Sequence, residues 1–175
     1  FTVGPDYAPP PVVVRPAQLE VSTNDLVLLV ERLGAAVLVG VDRIHIFSAS
    51  DGEPQFRGYN SSVMIDAEGS RVGTYDKMHL VPFGEYIPLA KWIPLLYRIT
   101  PVAGGAEPGA APSGMLVDEV LYVPNICYES AVPRLIRRQV NKVEAELGQR
   151  PDVLVNLTND AWYWGSSQLD LHLAC

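Results

Sequence analysis

Two short stretches carry side chains suited to covalent catalysis. Residues 75–88 read YDKMHLVPFGEYIP and hold Lys77, His79 and Glu85 around a Pro-Phe-Gly turn. Residues 125–130 read NICYES and put Cys127 two positions before Glu129. A cysteine ending an apolar strand and opening a helix sees that helix's free N–H groups. They lower a thiol pKa and can hold an oxyanion. A lysine nearby would favour the thiolate and stabilise negative charge growing on a carbonyl oxygen. Glu85 and Glu129 could act as general base or orient the lysine. His79 offers a Cys–His dyad as another arrangement. Each residue also has an ordinary alternative: Cys127 a small core thiol, Lys77 an exposed hairpin lysine, the two glutamates loop acids, His79 a residue packing its own loop. Lys77 is one of only three lysines, with Lys91 and Lys142.

The elements that must position these groups follow from the pattern. Residues 1–20 are proline-rich and read as an extended entry segment. STNDLVLLVERLG predicts a helix capped at Ser22, Thr23 or Asn24, with Leu26, Leu29, Val30 and Leu33 on one face and Gly34 as its stop. AAVLVGVDRIHIF predicts a strand, buried on both faces near Val37–Val41. DGEPQFRG reads as a turn. The stretch from Tyr59 to Leu80 predicts two strands joined at Asp66–Gly69. VPFGEYIP is a loop, and LAKWIPLLYRI a short amphipathic helix broken by Pro94. Residues 101–114, rich in Gly, Ala and Pro, predict a long mobile loop. Two strands follow in MLVDEVLYVPNICY. A helix with Pro133 in its first turn comes next, then a buried strand in DVLVNLTND. Strands alternating with helices imply an α/β architecture with helices covering a sheet. Lys77, Cys127 and Asn159–Asp160 all fall at predicted strand ends.

Composition narrows the function. The chain has 175 residues, 48% of them hydrophobic and 19% charged, which suits a globular core. A net charge of -7 argues against nucleic acid as a partner. No apolar run approaches the ~18 residues of a membrane-crossing helix. Cys127, Cys175 and the three scattered histidines (His45, His79, His172) lack metal-ligand spacing. A Cys127–Cys175 disulfide is formally possible, but Cys127 sits in an apolar strand-like run.

Taken together, YDKMHLVPFGEYIP, NICYES and NLTNDAWYWGSS resemble the carbon–nitrogen hydrolase (nitrilase) superfamily. Within it they are most similar to the apolipoprotein N-acyltransferase branch, through HLVPFGEY after the lysine and CYE at the cysteine. Tyr59–Ser61 and Pro108–Gly109 fit as well. The resemblance runs from about residue 37 to the end. It implies a nitrilase-like α-β-β-α sandwich, here incomplete, with residues 1–175 forming part of one such domain. It implies Cys127 as nucleophile, Lys77 as stabiliser of tetrahedral intermediates, Glu85 as the family's second glutamate, and Tyr128 and Glu129 as supporting residues of the nucleophile motif. On that pattern His79 is structural.

The implied reaction moves an acyl chain from a phospholipid, through a cysteine thioester, to the N-terminal amine of a diacylglyceryl-cysteine apolipoprotein. It needs no cofactor. The implied location is the bacterial inner membrane with the catalytic domain on the periplasmic or outer side. A soluble amidase or nitrilase, and an inactive nitrilase-like binding domain, are the alternatives. The family's general-base glutamate stands in a WPE motif that does not occur here. Asp6 and Ala17 follow prolines but are poor equivalents, so the base is expected before Phe1 and the chain alone is expected to be inactive. NDAWYWGSS also departs from the family's usual NDAWFG.

Overall fold

The computed structural model describes residues 26–28, 30–48, 54–88 and 105–158. A helix, α1, covers 26–28 and 30–33. Strands β1 (Val37–Ser48), β2 (Pro54–Ile65) and β3 (Arg71–Asp76) follow. Then come β4 (Met115–Val117), β5 (Val120–Ile126), a 3-10 turn at Cys127–Ala131, helix α2 (Pro133–Leu147) and β6 (Val153–Leu157).

These strands make two three-stranded sheets. The first has the order β1-β2-β3 and is antiparallel throughout. The second has the order β4-β5-β6, with β4 antiparallel and β6 parallel to β5. Antiparallel neighbours need only tight turns, whereas the parallel pair needs a crossover, which α2 supplies. At the β2–β3 turn, Asp66 and Ser70 close the hairpin, and Gly69 at φ 82 takes the left-handed position. Asp118 and Glu119 turn β4 into β5 with both φ values positive, the backbone of a two-residue hairpin loop.

The sheets face each other across Met64 and Tyr75 from one side and Met115 and Ile126 from the other. Leu121 and Val123 point the opposite way and pack with Val143 of α2. Strand β5 is therefore covered on both faces, by the first sheet and by α2. Helix α2 begins on Pro133, where the missing N–H has no intrahelical partner to lose.

Most elements fall where the residue pattern puts them, but four expectations change. Val37–Val41 is not buried between layers: β1 is an edge strand among the described residues, and these positions are half-buried or exposed. Strand β6 is likewise mostly exposed, with a neighbour on one side only among the described residues. β-branched runs suit a pleated strand wherever it lies, so they do not report depth. Pro54–Gly58 belongs to β2 rather than to a turn. In α1, Val30 is buried but Leu33 is exposed, so the apolar face is narrower than the spacing suggests. The helix in 89–99, the start of the Gly/Ala/Pro loop, Cys175, Asp6, Ala17 and Asn159–Asp160 lie outside the described residues.

Residues 105–114 have no regular structure, as expected, but they are tethered. Ala106 N–H donates to the Glu85 carbonyl, Glu107 N–H to Gly58 and Gly109 N–H to Lys77, at 2.7–2.8 Å. A loop rich in glycine and proline can be fixed by its backbone groups when they find partners.

Candidate active site

Strand β3 delivers Lys77 to the end of the first sheet. Its N–H donates to the Asn60 carbonyl on β2, and its own carbonyl accepts from Gly109. The side chain is 1% exposed, and Nζ lies 2.7 Å from Glu85 Oε2. A buried ammonium is costly without a counter-charge, and Glu85 provides it.

Glu85 reaches Lys77 because the Val81–Tyr86 turn folds back sharply. Glu85 N–H donates to the Val81 carbonyl, and Phe83 N–H donates to Tyr86. The carboxylate also accepts from Val81 N–H and from the Asn60 side-chain amide, each at 2.9 Å. Burial alone would raise its pKa. The hydrogen bonds from Lys77, Val81 and Asn60, together with the Lys77 charge, outweigh it and hold the carboxyl below the ordinary glutamate value. Phe83 sits in this turn at φ 64 and is 71% exposed. A bulky residue in that region of backbone space marks local strain.

Cys127 follows directly on β5 and starts the 3-10 turn at φ 55, a left-handed conformation that costs a non-glycine residue about 1–2 kcal/mol. Its thiol is free and half-buried, and it packs against the cluster that joins the two sheets. Ser130 hydroxyl donates to the Cys127 carbonyl, and Asn156 of β6 donates to Ser130. Tyr128, next in the turn, is 47% exposed.

Glu129 ties the two halves together. It is fully buried and accepts from Met78 and His79 N–H on Oε1, both at 2.9 Å. Ile126 N–H donates to Oε2 at 2.8 Å, and the Tyr75 hydroxyl donates to both oxygens. The residues just after Lys77 and the residue just before Cys127 thus share one carboxylate. With its oxygens so occupied, Glu129 is a structural clamp and not a free base. His79 contributes only its N–H to this clamp, and its side chain is exposed.

Sequence reasoning missed several groups that shape the site. Tyr75 and Gln139 back Glu129 from behind. Asp76 turns to the other side of the strand, where it takes a double hydrogen bond from Arg43 and one from Ser61. Asn60 is the middle residue of the Tyr59–Ser61 motif, and only its contact with Glu85 reveals its purpose. Among the described residues, no three His, Cys, Asp or Glu side chains converge as a metal site.

A buried lysine–glutamate pair, joined through Glu129 to a strained cysteine turn, narrows the relationship, and comparison with known proteins decides it. The carbon-nitrogen hydrolase family profile matches residues 2–175. The chain belongs to the carbon-nitrogen hydrolase family. Its relatives in the family include the apolipoprotein N-acyltransferase of Rhodopirellula baltica, 37% identical over 118 residues, covering 67% of this chain and 21% of that one. The apolipoprotein N-acyltransferase of Brucella suis biovar 1 is 34% identical over 164 residues, covering 91% of this chain and 29% of its own. The chain therefore spans less than a third of the length of these relatives. Among solved structures, an amidase from Nesterenkonia sp. AN1 superposes with a TM-score of 0.52 at 16% identity, over 83% of this chain and 45% of the amidase. That likeness establishes the fold, an incomplete nitrilase-like α/β sandwich, as the sequence motifs implied.

Proposed function

We propose that the protein carrying this chain is an apolipoprotein N-acyltransferase with Cys127 as its nucleophile. The observation that carries the reading is the Glu129 clamp, which holds the lysine loop and the cysteine turn in one unit, in a chain whose relatives are acyltransferases. A thiol at a strand-to-helix turn suits covalent acyl transfer, because sulfur is both a good nucleophile and a good leaving group.

The thiol gives up its proton to a carboxylate base, and Cys127 Sγ attacks the ester carbonyl of a phospholipid. Lys77 Nζ and the N–H groups following Cys127 stabilise the oxyanion, each such donor being typically worth roughly 3–4 kcal/mol. The C–O bond breaks, lysophospholipid leaves with the proton, and an acyl thioester remains. The α-amine of a diacylglyceryl-cysteine then attacks the thioester, an amide forms, and the thiol is regenerated.

Glu85 is engaged by Lys77, Asn60 and Val81, and Glu129 by its four donors. In this reading the base is a further glutamate, as in the family pattern. The location that fits a phospholipid donor and a lipoprotein acceptor is the outer face of the bacterial inner membrane. Among the described residues, no helix is long and apolar enough to cross a membrane.

The test is to incubate the intact protein with phospholipid and no acceptor, and to weigh the Cys127 peptide. The expected result is one added acyl chain that disappears when a diacylated lipopeptide is supplied and reappears on its amine. Absence of acyl on Cys127, together with hydrolysis of simple amides, would assign an amidase instead.

A further inference from the structure

Behind the clamp lies a second layer of buried polar groups that the reaction does not use. Tyr75 is 1% exposed, and Gln139, on α2, is fully buried. Gln139 Nε2 donates to the Tyr75 oxygen at 2.9 Å, and the Tyr75 hydroxyl donates to Glu129 at 2.8 and 2.9 Å. We propose that Tyr75, braced by Gln139, is a positioning residue that fixes the reactive geometry of Cys127 by holding the Glu129 carboxylate between the lysine loop and the cysteine turn. This rests on the reading of Cys127 as the nucleophile, but not on the identity of the acyl donor.

The chain of contacts spans three elements. Tyr75 comes from β3, Gln139 from α2, and Glu129 from the turn between β5 and α2. Because Gln139 donates to the phenol oxygen, the phenol proton is left to point at Glu129. Burial, then the charge and hydrogen bond of Glu129, push the Tyr75 phenol well above the ordinary tyrosine value, so it remains a donor. The three N–H groups on Glu129 lie along its two oxygens, and among the described residues only Tyr75 bridges both.

Without that bridge the carboxylate can rotate. Rotation releases either Met78 and His79 on Oε1 or Ile126 on Oε2. The second release frees the residue that enters the left-handed Cys127 backbone, which has reason to relax. A neutral hydrogen bond to a fully buried carboxylate therefore acts on a thiol it does not itself hydrogen-bond.

The test uses the intact protein and iodoacetamide, in which Cys127 Sγ displaces iodide, followed by mass analysis of the Cys127 peptide. Tyr75→Phe removes only the hydroxyl. The expected result is a fall of about 10- to 100-fold in the alkylation rate of folded protein, the scale of a small misplacement at a reacting centre. Gln139→Leu should lower the rate by a smaller factor and should have no further effect once Tyr75 is Phe, because it acts through Tyr75. A merely structural role would lower the melting temperature while leaving the rate per folded molecule unchanged.

An unaltered or faster rate in folded Tyr75→Phe overturns the proposal, as do losses that simply multiply in the double variant. If Tyr75→Phe does not fold, an unaltered rate in folded Gln139→Leu overturns it in the same way. Alkylation needs no lipid substrate. If the wild-type protein never takes an acyl group on Cys127, the acyltransferase reading fails while the Tyr75 comparison still stands.

Discussion

Lys77 and Glu85 form an ion pair of 2.7 Å in which the lysine is almost wholly buried and the glutamate is 20% exposed. They are eight positions apart, and the left-handed Phe83 lies in the turn that brings them together. The folded pKa of Glu85 is depressed relative to the unfolded chain. Its contribution to stability is therefore complete above the ordinary glutamate value and is lost as pH falls through the depressed one. Glu85→Gln should destabilise the protein by about 3 kcal/mol or more at neutral pH, since it leaves a buried ammonium unpaired. The gap between variant and wild type should close in acid. Urea unfolding at a series of pH values checks this, and a gap that stays constant would refute the assignment.

Glu129 should be the most damaging acid to replace with an apolar residue. Glu129→Leu strands the N–H groups of Met78, His79 and Ile126 and the Tyr75 hydroxyl. Each buried orphan costs about 1–3 kcal/mol, so a loss of at least ~3 kcal/mol is expected. Glu129→Gln keeps one acceptor oxygen and should lose less. Chemical denaturation separates them, and equal stability of the Leu variant and wild type would disprove the clamp.

Gly109 lies where the 105–114 loop crosses the Lys77 strand end. A Cβ there would press on the Asp76 carbonyl and on Asp76 Cβ, while Gly109 N–H is bonded to the Lys77 carbonyl. Backbone gives less readily than a side-chain tip. Gly109→Ala should cost about 1–3 kcal/mol, as overpacking does, and should lower activity by shifting Lys77. Gly40→Ala is the control, because a Cβ at Gly40 meets nothing within 4 Å. If both variants melt alike, the loop does not rest on Lys77 as described.

The strands and α2 were legible because period and punctuation agree there: Asp66–Gly69 closes a hairpin and Pro133 opens a helix. The placement of Lys77 and Cys127 at strand ends was legible from the pattern, and orienting the lysine was one of the options that residue type offered for Glu85. Depth was not. Val37–Val41 and Val153–Leu157 are equally β-branched or apolar but lie at sheet edges among the described residues, and edge position is a property of neighbours distant in sequence. Nor was the relay behind Glu129. Tyr75 and Gln139 are 64 positions apart, and neither type nor spacing marks an inward phenol or a buried amide on an amphipathic helix. The tether of residues 105–114 was hidden for a similar reason, since backbone hydrogen bonds leave no trace in side-chain composition.

Backbone strain at Cys127 can be measured apart from its chemistry. Cys127→Ala and Cys127→Gly both remove the thiol, and both should abolish acyl capture if Cys127 is the nucleophile. They differ in what φ 55 costs them. Alanine keeps a Cβ that crowds the left-handed backbone, whereas glycine populates that region freely. Glycine also loses more entropy on folding, which offsets part of the gain. Cys127→Gly should still be the more stable of the two by about 1 kcal/mol, since alanine at positive φ is the incompatible substitution. Parallel thermal and urea melts give the difference directly. A more stable alanine variant would mean that the turn holds no strain at Cys127, and that Glu129 and Ser130 position a relaxed thiol rather than restrain a tense one.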